Sequence, residues 1–83
     1  MAGGGQFRWS DILSMLQTCA PGMTWKDGKS SRSVAFEGRT AWVRKPPPSK
    51  KDPEYRSYEV RNLVRALRLK EEEVRKHLPN LRL

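Results

Sequence analysis

Arg61, Arg65 and Arg68 recur at helical spacing, which places their guanidinium groups along one stripe. Each guanidinium carries a planar fork of donors that matches a phosphate or carboxylate, so such a stripe is suited to gripping successive anions. Upstream lie Arg44, Lys45, Lys50, Lys51 and Arg56, with only Asp52 and Glu54 as acids in the same stretch. Glu59 and Glu71 to Glu73 are the nearest internal partners for the stripe. Exposed pairs of that kind are worth about 0–1 kcal/mol and do not tie a guanidinium down against an outside anion. The candidate binding residues are therefore Arg61, Arg65, Arg68, Arg44, Lys45, Lys50, Lys51 and Arg56. Trp42 joins them as an exposed platform on which a base can stack.

Other reactive residue types stand alone. His77 is the single histidine, placed near a helix end among Arg75, Lys76 and Leu78, where a partial positive charge is welcome. Cys19 is the single cysteine, so neither a disulfide framework nor a Cys/His nucleophile or zinc site can be assembled. Glu71, Glu72 and Glu73 are consecutive and point to different sides of a helix, so they form no dyad. Gly28-Lys29-Ser30 ends like a phosphate loop, but it lacks the upstream glycine and leads into a strand rather than a helix. No catalytic residue, metal or cofactor is assigned, and an enzyme is not the expected reading.

Seventeen basic against nine acidic residues leave a net charge of +8 on 83 residues. Such a chain is drawn to polyanions: nucleic acid first, then an acidic protein or an anionic membrane surface. No apolar run is long enough to span a bilayer, and no secretory signal opens the chain. With the lone Cys19, this points to an intracellular setting, cytoplasmic or nuclear.

The stripe must be held by a helix, and the pattern supplies one. Val60, Leu63, Val64 and Leu67 recur at i, i+3, i+4, i+7, giving an apolar face beside the arginines. Asp52 as N-cap with Pro53 at the first helical position is one start for this helix, and Ser57 is a rival. Arg68-Leu69-Lys70 reads as a corner, and Glu71 to Leu78 as a short last helix stopped by Pro79. At the other end, Ser10 is the expected N-cap of a first helix with Trp9, Ile12, Leu13, Leu16 and Cys19 on one face. Ala20-Pro21-Gly22 ends it. Met23 to Lys26, Ser30 to Phe36 and Thr40 to Arg44 read as strands. Asp27-Gly28 is the strongest hairpin signal, and Glu37-Gly38 a weaker one because glutamate tolerates positive φ poorly. Pro46-Pro47-Pro48 ends the sheet. The expected fold is α+β: a small α-β-β-β-α domain with a short C-terminal helix, its three-stranded antiparallel sheet packed on helices. Residues 1–6 read as a flexible lead-in, 7–79 as the domain and 80–83 as a tail.

The element order and local phrases resemble the HicA-type mRNA interferase toxins, which have a double-stranded-RNA-binding-like fold. The phrases are Ser10-Asp11-Ile12-Leu13-Ser14-Met15-Leu16 at the first helix and the run from Arg61 to Val74 at the close. The resemblance spans about Ser10 to Leu78. It implies RNA as the partner. It also implies a lost or altered nuclease step, because that family cleaves with a histidine in the glycine-led turn, and Gly28-Lys29-Ser30-Ser31 has none. The family's glycine between the last two helices is absent too, with Arg68 nearby.

These residues read as a small basic nucleic-acid-binding module, RNA slightly preferred over DNA. A protein-interaction domain for an acidic partner is the alternative, with Trp9, Trp42 or the proline run as anchor. A winged-helix-like DNA binder is a third reading, disfavoured because the strands precede the helix pair and Glu71 to Glu73 would face phosphate. Oligomeric state stays open, since a meander leaves an unpaired edge.

Overall fold

The computed structural model describes residues 6–83. The elements run β1 (Gln6–Arg8), α1 (Trp9–Cys19), β2 (Thr24–Asp27), β3 (Ser31–Phe36), β4 (Arg39–Arg44), β5 (Glu54–Arg56), α2 (Ser57–Ala66) and α3 (Glu71–His77). Strands β2, β3 and β4 form the antiparallel meander, and β1 and β5 form a separate two-stranded antiparallel sheet. The α+β architecture with a three-stranded sheet on helices is as expected. Of the lead-in expected over residues 1–6, residues 1–5 lie outside the described residues, and Gln6 begins β1.

Alternation fixes the faces of the meander. Arg32, Val34, Ala41 and Val43 turn inward and are buried. Thr24, Lys26, Ser33, Thr40 and Trp42 fall on the opposite face. Strand register sets Lys26 beside Ser33 and Ser33 beside Trp42. Helix α2 covers the inner side with Val60, Leu63 and Val64, and Leu67 just beyond its end is also fully buried. Helix α1 contributes Trp9, Ile12, Met15 and Leu16. Its buried face is rotated slightly from expectation: Met15 is inside, whereas Leu13 and Cys19 are only partly covered. Val74, Leu78 and Leu81 close the core, so packing continues past Pro79.

The two hairpins reverse their expected ranks. Glu37 and Gly38 both take positive φ, 50° and 79°, between the paired Phe36 and Arg39. That is the two-residue turn whose twist suits a hairpin. Asp27 instead pairs with Arg32 across a four-residue connection, closed by the Gly28 N–H donating to the Ser31 carbonyl at 2.8 Å.

Asp52-Pro53-Glu54 does not start a helix. Glu54, Tyr55 and Arg56 pair with Arg8, Phe7 and Gln6, and the Trp9 N–H donates to the Pro53 carbonyl at 2.8 Å. Pairing with a distant segment overrides the local helix-start pattern, and the rival start at Ser57 holds. Asp52 does act as a cap, but for α1. Its carboxylate accepts from the Ser10 N–H at 2.9 Å and from the Ser10 hydroxyl at 2.8 Å. Ser10 is therefore inside α1 rather than its N-cap; the orphan first-turn donor finds an acceptor 42 residues away. Glu59 reaches back to accept from the Arg56 N–H, 2.9 Å, at the start of α2.

Among the described residues, no helix is long and apolar enough to cross a membrane.

Candidate functional site

Helix α2 presents Arg61 half-buried and Arg65 exposed, and the corner beyond it presents Arg68, also exposed. The carboxylate pairs among the described residues lie elsewhere: Asp27 with Arg32, Glu37 with Arg39, Glu59 with Arg44, Glu71 with Arg75 and Glu73 with Lys76. None engages the stripe. Arg61 buries its Nε without an acceptor, so its stem lies along the protein rather than in an ion pair.

Arg68 leaves the helical repeat. Its φ is +54°. The Arg68 N–H donates to the Arg65 carbonyl and the Leu69 N–H to the Val64 carbonyl, each at 3.1 Å. These two bonds are a Schellman motif with arginine in the left-handed position where glycine is usual. Leu69 is buried beside Val64, completing the motif's apolar contact. The left-handed backbone costs a non-glycine residue roughly 1 kcal/mol.

The remaining predicted cations divide. Arg44 bonds to neighbouring segments, with half of its side chain left exposed. Its Nε lies 2.9 Å from Glu59, its Nη2 donates to the Glu54 carbonyl, and its guanidinium sits 4.8 Å from the Tyr55 ring centre. The Tyr55 hydroxyl donates to the Arg44 carbonyl at 3.1 Å, so Arg44 clamps the end of β4 to β5 and α2. Lys45 donates to the Gly28 carbonyl at 2.9 Å and straps the same strand end to the first hairpin. Lys50 and Lys51 are exposed on the loop after the prolines, and Arg56 is exposed at the start of α2. The structure thus gathers Arg61, Arg65 and Arg68 on one helix and its corner, whereas Arg44 and Lys45 bond to neighbouring segments of the fold.

Trp42 is 66% exposed, so it stands on the outer face of the sheet and not in the core. Tyr58, which residue patterning did not single out, is 53% exposed. Tyr58 precedes Arg61 by three residues and Arg65 by seven, so it shares their side of α2. Counting that spacing one turn further toward the N-terminus would have found it. Two shallow depressions meet at Trp42. One, about 450 Å³, lies over the sheet between Thr24, Lys26, Ser33 and Thr40. The other, about 280 Å³, lies between Trp42 and α2 and includes Ser31, Tyr58 and Asn62.

No acid–base or nucleophilic pairing emerges. His77 is exposed and shares a depression with Gln6, Asp11 and Asn80, and among the described residues no hydrogen bond or ion pair joins it to Asp11. Burial and then the charge of Glu73 push the Cys19 thiol up, which disfavours the nucleophilic thiolate. Among the described residues, no cluster of His, Cys, Asp and Glu could hold a metal ion. Compared with known proteins, the chain matches no family model, no curated protein and no solved structure.

Proposed function

We propose that this chain is a small basic nucleic-acid-binding module that grips phosphates with Arg61, Arg65 and Arg68. One observation carries the reading: every ion pair among the described residues lies elsewhere, leaving these guanidiniums of α2 and its corner without a carboxylate partner there. Lys50, Lys51 and Arg56 supply further exposed charge. Arg68 supports the reading from backbone energetics, because a charged side chain sits where glycine would relieve strain. Phosphate chemistry alone does not separate RNA from DNA; the likeness to HicA-type modules favours RNA, bound without cleavage because the turn Gly28 to Ser31 offers no histidine. An intracellular location follows from such a partner.

The test is a titration of RNA and DNA oligonucleotides at two salt concentrations, with R61E/R65E beside the parent chain. Each phosphate contact adds about 0.7–0.9 to the slope of log affinity against log salt. Affinity for the parent falls steeply with salt, and the double variant binds at least tenfold more weakly while still folded. Equal affinity for the two chains removes the proposal. Capture of an acidic protein that survives nuclease treatment, with no oligonucleotide binding, replaces it with the protein-interaction reading.

A further inference from the structure

The depression between β4 and α2 has a chemistry different from the arginine stripe beside it. Its apolar flanks are Trp42 and Tyr58, the two most exposed large apolar side chains among the described residues. Its charged groups are Arg44 and Glu59, which neutralise each other at 2.9 Å. A phosphate gains little there, since the only cation is already matched by a carboxylate. A neutral planar ring gains two aromatic surfaces. Asn62, exposed at the same depression, carries both a donor and an acceptor and can pair with the edge of a heterocycle. At about 280 Å³ the space lies near the lower end of ligand sites, roughly 300–1,000 Å³, and admits one ring system rather than an extended ligand.

Position ties this neutral slot to the cations. Tyr58 lies on the same side of α2 as Arg61 and Arg65, so a ring held against Tyr58 has its own backbone phosphates within reach of unpaired guanidiniums. We infer that the slot between Trp42 and Tyr58 receives one unpaired nucleobase, with Asn62 at its edge and the flanking phosphates on Arg61 and Arg65. This rests on the phosphate-binding reading and narrows it: the partner is single-stranded, because a closed duplex has no free base face to offer.

The experiment uses the full chain and four fluorescent probes of equal length. They are an oligoadenylate, an oligouridylate, an abasic strand with the same phosphates, and a duplex. Stacking by one aromatic contact is worth about tenfold or more in affinity. The oligoadenylate, with the larger ring, binds about tenfold tighter than the abasic strand and the duplex, and it quenches tryptophan emission. W42L loses that preference and binds every probe at the abasic level, W42F keeps most of it, and Y58A, which leaves all tryptophans in place, also weakens it. Equal affinity of the parent chain for base-bearing and abasic strands overturns the slot while leaving the phosphate grip standing. Tighter binding to the duplex overturns it as well. No binding to any probe overturns both readings together.

Discussion

The guanidinium of Arg32 lies 4.7 Å from the Trp9 ring centre and 4.5 Å from that of Trp25, and its side chain donates to both carboxylate oxygens of Asp27, at 2.6 and 3.0 Å. Arg65, on α2, is exposed and has no carboxylate partner among the described residues. Trp25 packs edge-on against Trp9 at 5.2 Å, whereas Trp42, two strands away, is mostly in solvent. The same two residue types thus build a closed cluster at one end of the sheet and an open surface at the other. Register makes the difference. Asp27 is the cross-strand partner of Arg32, and Trp25 sits two residues before Asp27 on the same face, so the charge is neutralised and covered as the hairpin closes. Trp42 faces Ser33 across its strand pair, a small residue that covers nothing. An arginine becomes structural where the sheet supplies its acid, and stays available where none is supplied.

The largest way to break this contrast is R32A. It removes a buried, doubly bonded guanidinium and the cation that fills the space between two indoles. Charge-assisted bonds and a desolvated cation–π contact together put the loss at about 3 kcal/mol, which lowers the midpoint of thermal unfolding by more than about 10 °C. R65A should leave the midpoint within a few degrees, since exposed substitutions of this kind stay within about 0.5 kcal/mol. If the two variants melt alike, the division into closed and open clusters fails.

Acid sharpens the same contrast. The hydrogen bond from Arg32 holds the Asp27 carboxyl below its ordinary value, and the Ser10 N–H does the same for Asp52. A depressed carboxylate stabilises the fold at every pH above its unfolded value and loses that contribution as pH falls through the folded one. Stability should therefore be flat through neutral pH and fall below the ordinary aspartate range. D27N should be less stable than the parent at pH 7 and lose less on acidification, measured by urea unfolding across pH. R65A removes no carboxylate partner among the described residues, and it should track the parent along the whole curve. Its own effect is on binding: the salt slope for oligonucleotides drops by about one contact's worth, 0.7–0.9.

How far these regions were legible in residue patterning follows from the range of the interactions involved. The amphipathic α2, the three meander strands and the corner at Arg68 rest on spacing of a few residues, and all appear where the pattern puts them. Strands β1 and β5 did not, because Phe7 and Tyr55 meet only when the chain brings distant segments together. Asp52 was read as a cap for the nearest helix and serves a remote one for the same reason. Arg32 carried a local signal: it alternates with Val34 and Phe36, so period two implies an inward arginine, although its pairing with Asp27 depends on the four-residue connection between them. Of the candidate binding residues, Arg61 and Arg65 lie on α2 at the spacing helical period gives, whereas Arg68 falls in the left-handed corner beyond it. The engagement of Arg44 could not be read from period, since its partners Glu54, Tyr55 and Glu59 come from two other elements.

The smallest effect concerns the residue that joins the two kinds of arginine, Arg68, which is exposed like Arg65 yet held in a strained backbone. Nothing near it demands a side chain, because the Schellman bonds use only main-chain groups. Glycine at this position keeps both bonds and relieves the left-handed strain of roughly 1 kcal/mol, partly offset by glycine's greater freedom in the unfolded chain. R68G should therefore raise the unfolding midpoint by a few degrees, while R68A, which keeps the strain, should not. If Arg68 is a phosphate contact, both variants lose the same affinity despite moving stability differently. That pairing separates the backbone of the corner from its charge. Full affinity in both variants would restrict the grip to Arg61 and Arg65 on the helix proper.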